Sequence, residues 1–273
     1  MEAQALLKST QMTLPPIRLG ILSMAPPAKI YKLWSPFADY LAEKVGRPVE
    51  IVVPRGFQKI KEAVVNDSVD LIYINSLILY RLKEEGKAIP VAQMYTIDGS
   101  IYNRGVLVAR VDSNIKSLKD LKGKKLAFIS PMASGGYLAQ RAKFQSEGIK
   151  TKTDAQEVFT KNLTTSLHKV ILGDVQAAAM CGINFRLLSQ RFGNGELETV
   201  GYSETFVENA FGANPKLEKT LREKISSTII DMINDSEGQR ILSAMKNMKI
   251  KKFVKYDPGA EKVTRELINK AEF

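Results

Sequence analysis

The sequence predicts an α/β protein of two lobes, each a mixed, mostly parallel sheet flanked by helices, with a ligand cleft between the lobes. Three observations carry this expectation. Short apolar runs alternate with segments of helical period, as they do when helices cover both faces of a parallel sheet. The alternation runs from residue 17 to residue 95 and restarts at residue 104, so the 273-residue chain has room for two such units. Glycines such as Gly46, Gly86, Gly148 and Gly173 stand where helical segments stop, the position that favours a left-handed cap residue.

In chain order, residues 1–16 read as a tether ending in Pro15 and Pro16. Residues 17–22 (IRLGIL) are a strand, and 23–29, with Pro26 and Pro27, a loop. A helix follows over 30–45, with Leu33, Phe37, Tyr40 and Leu41 on one face. Strand 49–53, helix 57–66 and the buried strand 70–74 come next. Asn75 and Ser76 can cap a helix over 77–85, and 91–95 is a strand. The second unit opens with strand 104–110. Ser117 and Asp120 have the spacing of a capping box around a single helical turn. Strand 125–129, helix 137–147, strand 158–159, helix 164–172, strand 176–180, helix 185–191 and strand 197–202 complete it. Asn214 and Pro215 suit the N-cap and first position of a long helix, with Leu217, Leu221, Ile225 and Ile229 on one stripe. Residues 238–273 hold one or two more helices. The division expected is a tether (1–16), a discontinuous first lobe (17–103 with 207–273) and a second lobe (104–206).

Composition narrows the function classes. The chain is 44% hydrophobic and 25% charged, ordinary globular values. No apolar run approaches the 18 residues a membrane helix needs. Residues 1–13 lack the apolar core of a signal peptide, which suits either a cytoplasmic chain or one from which a leader has been removed. One cysteine, Cys181, rules out an internal disulfide and a multi-cysteine metal site. One histidine, His168, leaves no histidine cluster, and no metal or other cofactor is expected. The net charge of +11 is spread along the chain, without the basic stripe and exposed aromatics that nucleic acid would require. A positive field of this kind collects small anions.

The stretch that carries chemistry is residues 128–140 (FISPMASGGYLAQ). The end of an apolar run meets a glycine-rich turn and then a helix, a layout that aims backbone N–H groups and the helix dipole at one spot. Ser134 can add a hydroxyl, and Gly135 and Gly136 let a ligand approach the backbone. The plainer reading is a helix cap. In a parallel sheet, ligands bind beyond the carboxyl ends of the strands, where Ser23, Asn75 and Ser76 also fall. Tyr73, Tyr102 and Trp34 could wall a small ligand or pack in the core. Arg104 stands at the crossing between lobes, either facing ligand or bracing the hinge.

With these residues in place, the chain resembles a known family. Residues 114–128 (NIKSLKDLKGKKLAF), preceded by 102–110 (YNRGVLVAR) and followed by 130–137, resemble the second-lobe entry of type II periplasmic solute-binding proteins. Residues 173–179 (GDVQAAA) and 235–242 (DSEGQRIL) are similar to the same group, in particular to the phosphate/phosphite/phosphonate-binding proteins of ABC transporters. The resemblance runs from about Ile17 to Asp257. It implies a type II fold, no catalysis, no cofactor, an extracytoplasmic location with the leader absent from this sequence, and a monomer. The chain would capture a small anion by lobe closure and deliver it to an ABC-transporter permease. Ser134, Gly135, Gly136 and Tyr137 would hold the acidic group, with Thr164 at the next helix start; Asn75, Ser76, Tyr73, Ser23 and Tyr102 would complete the site. Nucleic acid is not an expected partner. The chain departs from the family at Met132, Ala133 and Gly135, where a richer Ser/Thr run is usual. It departs at Leu163, where the family often has histidine, and at Cys181, where aminophosphonate binders carry a carboxylate. Three alternatives stand beside this reading: the sensing domain of a membrane kinase or chemoreceptor, a cytoplasmic enzyme on the same scaffold acting on chorismate-derived acids, and a binder of sulfonates or pyrimidine precursors.

Overall fold

The computed structural model describes residues 14–22, 26–189 and 195–273. Ser23 and most of the expected tether lie outside the described residues, as do the last residues of the helix expected over 185–191. The chain divides into two compact units. One comprises residues up to Ile101 with Glu208–Asp257; the other comprises Tyr102–Val207 with Pro258–Phe273.

In the first unit, strands β1 (Ile17–Ile21), β2 (Val49–Val52), β3 (Leu71–Ile74) and β4 (Ile89–Thr96) alternate with helices α1 (Pro27–Val45), α2 (Phe57–Val65) and α3 (Ser76–Glu84). β1 pairs in parallel with β2 and β3, setting Leu19 opposite Ile51 and Leu71. Two later strands enter from the second pass of the chain. β10 (Ala210–Ala213) inserts antiparallel between β3 and β4, and β11 (Ile250–Val254) adds antiparallel to β4. Pro27 opens α1 at its first position instead of belonging to the loop before it, because its fixed φ suits a helix and a first-turn N–H is not needed. Gly46 ends that helix with φ 76° and an N–H bond to Ala42 O.

The core of this unit is aromatic. Phe37 stacks on Phe211 with centroids 5.3 Å apart, and Trp34 lies 4.8 Å from the Tyr73 ring. Phe253 closes on Phe211 at 5.1 Å. Ile225 and Ile229 of α8 (Lys219–Asp231), and Ile241, Leu242 and Met245 of α9 (Ser236–Met245), complete the cluster. The helix expected from Asn214 starts later, at Lys219. The Asn214 side-chain oxygen accepts from its own neighbour, the Lys216 N–H, and its amide nitrogen donates to Asp67. That Asx turn offers the backbone an alternative to a helix.

The second unit holds β5 (Tyr102–Arg110), β6 (Lys125–Phe128), β7 (Gln156–Phe159), β8 (Ala177–Cys181) and β9 (Leu197–Val207), in the order β7-β6-β8-β5-β9. β6 pairs in parallel with β7 and β8, while β5 runs antiparallel to β8 and β9. The helices are α4 (Ala139–Ser146), α5 (Thr151–Asp154), α6 (Leu163–Ile171), α7 (Gly182–Ser189) and α10 (Glu261–Lys270). The capping box expected at Ser117 and Asp120 is present. Residues 258–273, expected in the first lobe, lie instead with the second unit, where α10 packs on α4 and β9. Leu267 and Thr264 are the face it buries.

Candidate anion site

In the second unit, β6, β7 and β8 run in the same direction, and each leads at its carboxyl end into a helix start. Beyond β6, the Ser130 hydroxyl accepts from the Met132 N–H at 3.1 Å, and Ala133 N–H bonds Ser130 O at 3.2 Å. The chain then enters a π-helical turn over Ser134–Leu138, which passes into α4. Its first closed bonds run from Leu138 N–H to Ala133 O and from Ala139 N–H to Ser134 O. Helix geometry therefore leaves the N–H groups of Gly135, Gly136 and Tyr137 without intrahelical acceptors. π turns are uncommon and concentrate at functional positions. The Ser134 side chain is buried at the mouth of this turn.

One contact explains the glycine at 135, and a second explains the glycine at 105. A Cβ at 135 would stand 2.3 Å from the Phe206 ring. On the other strand, a Cβ on Gly105 would stand 2.2 Å from the Gly135 carbonyl oxygen. The helix start thus rests backbone to backbone on β5, with the β9 phenylalanine against it. Gly136 is different, because a Cβ there would find only ordinary contacts at 3.6 Å and beyond.

The Tyr137 side chain is packed into the interior of the second unit. It is 1% exposed and packs edge-on to Phe128 at 5.1 Å. Its hydroxyl donates to Glu157, 3.0 and 3.2 Å from the two carboxylate oxygens, and Glu157 also accepts from Thr151. Burial, reinforced by the Glu157 charge, pushes the Tyr137 hydroxyl pKa up to about 12. Only the backbone of Tyr137 remains a candidate donor.

Thr164 is exposed in the first turn of α6, beyond β7. Asn162 caps that helix by accepting from the Thr165 N–H at 3.1 Å. His168 is exposed further along the same helix. Cys181 is half-buried at the end of β8, where α7 begins. Tyr102, the first residue of β5, is 37% exposed. Arg104 lies over the Tyr202 ring at 5.3 Å and donates to Ser203 O, so it braces β5 against β9.

In the first unit, β3 ends at Asn75, whose side-chain oxygen caps α3 by accepting from the Ile78 N–H at 2.9 Å. Asn75 and Ser76 are both buried there, at a second helix N-terminus with its positive dipole end. Of the two roles open to Trp34 and Tyr73, ligand wall or core packing, both take the core, which removes the Tyr73 side chain from the expected site. Both are buried in the aromatic core, and the Tyr73 hydroxyl donates to Met94 Sδ. Burial, with the nearby Glu208 charge, raises the Tyr73 pKa far above its ordinary value. Alternating side chains on a short strand send Tyr73 to the core face, a choice that residue type alone does not reveal. Among the described residues, no group of three His, Cys, Asp or Glu side chains could hold a metal ion, and no helix is long and apolar enough to cross a membrane.

Comparison with known proteins gives this geometry a setting. Residues 19–259 match the family described as ABC transporter, phosphonate, periplasmic substrate-binding protein. The phosphate-import protein PhnD of Mycolicibacterium smegmatis is 24% identical over 211 residues, covering 71% of this chain and 64% of its own length. The tetrathionate sensor histidine kinase TtrS of Salmonella typhimurium is 27% identical over 146 residues, covering 52% of this chain and 25% of its own. The chain thus spans under two thirds of either curated relative. Among solved structures, a binding protein component of an ABC phosphonate transporter from Pseudomonas aeruginosa superposes with a TM-score of 0.82 at 18% identity, covering 94% of this chain and 87% of that one. The fold is therefore the two-unit α/β fold of type II periplasmic binding proteins. The family is one of transporter binding proteins, not of enzymes, and its members are periplasmic. The chain belongs to the phosphonate-type periplasmic substrate-binding proteins of ABC transporters.

Proposed function

We propose that this chain is an extracytoplasmic, non-enzymatic binding protein for a small oxyanion, with phosphate or a phosphonate as the expected ligand. It acts as a monomer without nucleic acid and hands its cargo to an ABC permease. The observation that carries the reading is the π turn beyond β6. It offers the N–H groups of Gly135, Gly136 and Tyr137, with the Ser134 hydroxyl beside them, at the positive end of a helix dipole. Thr164 starts the neighbouring helix at the same edge of the sheet. Asn75 and Ser76 are the proposed ligand groups of the first unit, with Tyr102 as a further one; Ser23, expected beside them, lies outside the described residues. Binding is expected to reduce the radius of gyration, measured by solution scattering with and without ligand.

The test is a thermal-shift panel of phosphate, phosphite, methylphosphonate, aminoethylphosphonate, alkylsulfonates and carboxylates. A ligand at a hundredfold its Kd stabilises by about 2.7 kcal/mol, a rise of a few degrees in Tm. A rise with a phosphorus oxyanion that shrinks in Ser134→Ala supports the reading. A panel in which only non-phosphorus ligands act overturns the ligand class. A second reading, the sensing domain of a membrane kinase, draws on the likeness to the tetrathionate sensor. It gains support if tetrathionate stabilises the protein and phosphorus oxyanions do not.

A further inference from the structure

Gln140, in the first turn of α4, is fully buried, and neither end of its side-chain amide meets a hydrogen-bonding protein atom. Such groups are rare in folded proteins and call for a reason. Its position supplies one. The Gly135 carbonyl oxygen and Gln140 Nε2 converge on one spot beside Gly105, 2.2 and 2.8 Å from where a Cβ on that glycine would stand. The Ser203 hydroxyl is 3.1 Å from the same spot, but it is already committed, accepting from the Gly105 N–H and donating to Glu204 O. Of the three atoms about that spot, the Gly135 carbonyl oxygen, with two lone pairs to offer, is the acceptor left for a water held by the Gln140 amide nitrogen.

That carbonyl and the Gly136 N–H belong to the same planar peptide, pointing in opposite directions. A donor on the carbonyl side fixes the plane and polarises the N–H on the far side. We infer that Gln140 is the positioning residue of the anion turn: through one shared water its amide nitrogen supports the Gly135 carbonyl and so aims the Gly136 N–H at the bound anion. Gly105 is the complementary part, since any side chain there would push the carbonyl out of reach. The ligand half of this inference rests on the oxyanion reading above; the water-mediated link itself does not.

The experiment uses the isotope-labelled full chain and Gln140→Met, which keeps the volume and removes the donor. In the variant the Gly136 amide proton resonance is expected to move upfield, while that of Gly46 stays in place. Affinity for phosphate or methylphosphonate is expected to fall about tenfold, with Tm held or raised. An unmoved Gly136 resonance with unchanged affinity overturns the inference, whatever Tm does. If the wild type binds neither anion yet the Gly136 resonance still moves, the oxyanion reading fails and the role of Gln140 stands. Should Gln140→Met fail to fold, the wild-type side-chain amide protons decide. Slow exchange with solvent and a contact to the Gly135 or Gly105 α-protons support the link; fast exchange overturns it.

Discussion

Gly135→Ala is expected to destabilise the second unit, and the neighbouring Gly136→Ala is not. The added methyl at 135 would stand 2.3, 2.4 and 3.0 Å from three atoms of the Phe206 ring. Carbon atoms rest at about 3.5–4.0 Å, so the ring or the turn must retreat by roughly an ångström. Phe206 is 2% exposed and has no solvent side to swing into. Overpacking of this kind costs about 1–3 kcal/mol, and about 2 kcal/mol corresponds to a fall of about 4–8 °C in Tm. Gly136 meets nothing closer than 3.6 Å, so alanine there should stay within about 0.5 kcal/mol of wild type. Thermal melts of both variants, and of Gly135→Ala combined with Phe206→Leu, make the assay. The smaller side chain should relieve most of the clash, a coupling that a double-mutant cycle isolates. If Gly135→Ala melts like wild type, or Gly136→Ala is equally damaging, the packing account of the turn is wrong.

Three further outcomes are expected. Lys249→Met should cost about 3 kcal/mol in urea unfolding, because Lys249 Nζ lies 3.5 Å from Glu208 Oε1 and the Glu208 side chain is 2% exposed. Asp70 accepts from the Arg18 N–H and both ends of its guanidinium at 2.8–2.9 Å. Burial alone would raise its pKa, but the Arg18 hydrogen bonds and charge outweigh burial and hold it below the usual carboxylate value. A lowered folded pKa gives stability that is complete above the unfolded value of about 3.9 and is lost as pH falls below it. The stability gap between wild type and Asp70→Asn should therefore narrow on acidification, as melts from pH 7 to pH 2 would record. Tyr137→Phe should cost about 1 kcal/mol through the lost bonds to Glu157. Its anion affinity by calorimetry should stay within twofold of wild type, since only the backbone of this residue is proposed to face ligand.

Much of the architecture was legible because it rests on local signals. Apolar runs marked β1, β3 and β6, and glycines such as Gly46, with its left-handed φ of 76°, marked helix ends. The parts that were not legible depend on partners distant in sequence. β10 is four small or aromatic residues, Ala210–Ala213, that become a strand only between β3 and β4. β11 spends two of its five positions on lysines, with Ile250 and Phe253 buried. The tail was misassigned because nothing local says which unit an amphipathic helix will cover. At the site, the Ser/Gly turn was visible in the sequence, but its π geometry was not. Nor was the meeting of Gly105, Gly135, Phe206 and Gln140, which needs two strands and a helix start to converge. The sequence pattern allowed Tyr73 and Trp34 either role, and core packing took both.

The most direct test of the central claim is an amide-resolved NMR titration of the full chain with phosphate and with methylphosphonate. The account expects saturable, stoichiometric shifts that are largest at the N–H groups of Gly135, Gly136 and Tyr137. Saturable binding that leaves these three amides unmoved would contradict the placement of the anion, and titrations with no binding by any phosphorus oxyanion would contradict the ligand class.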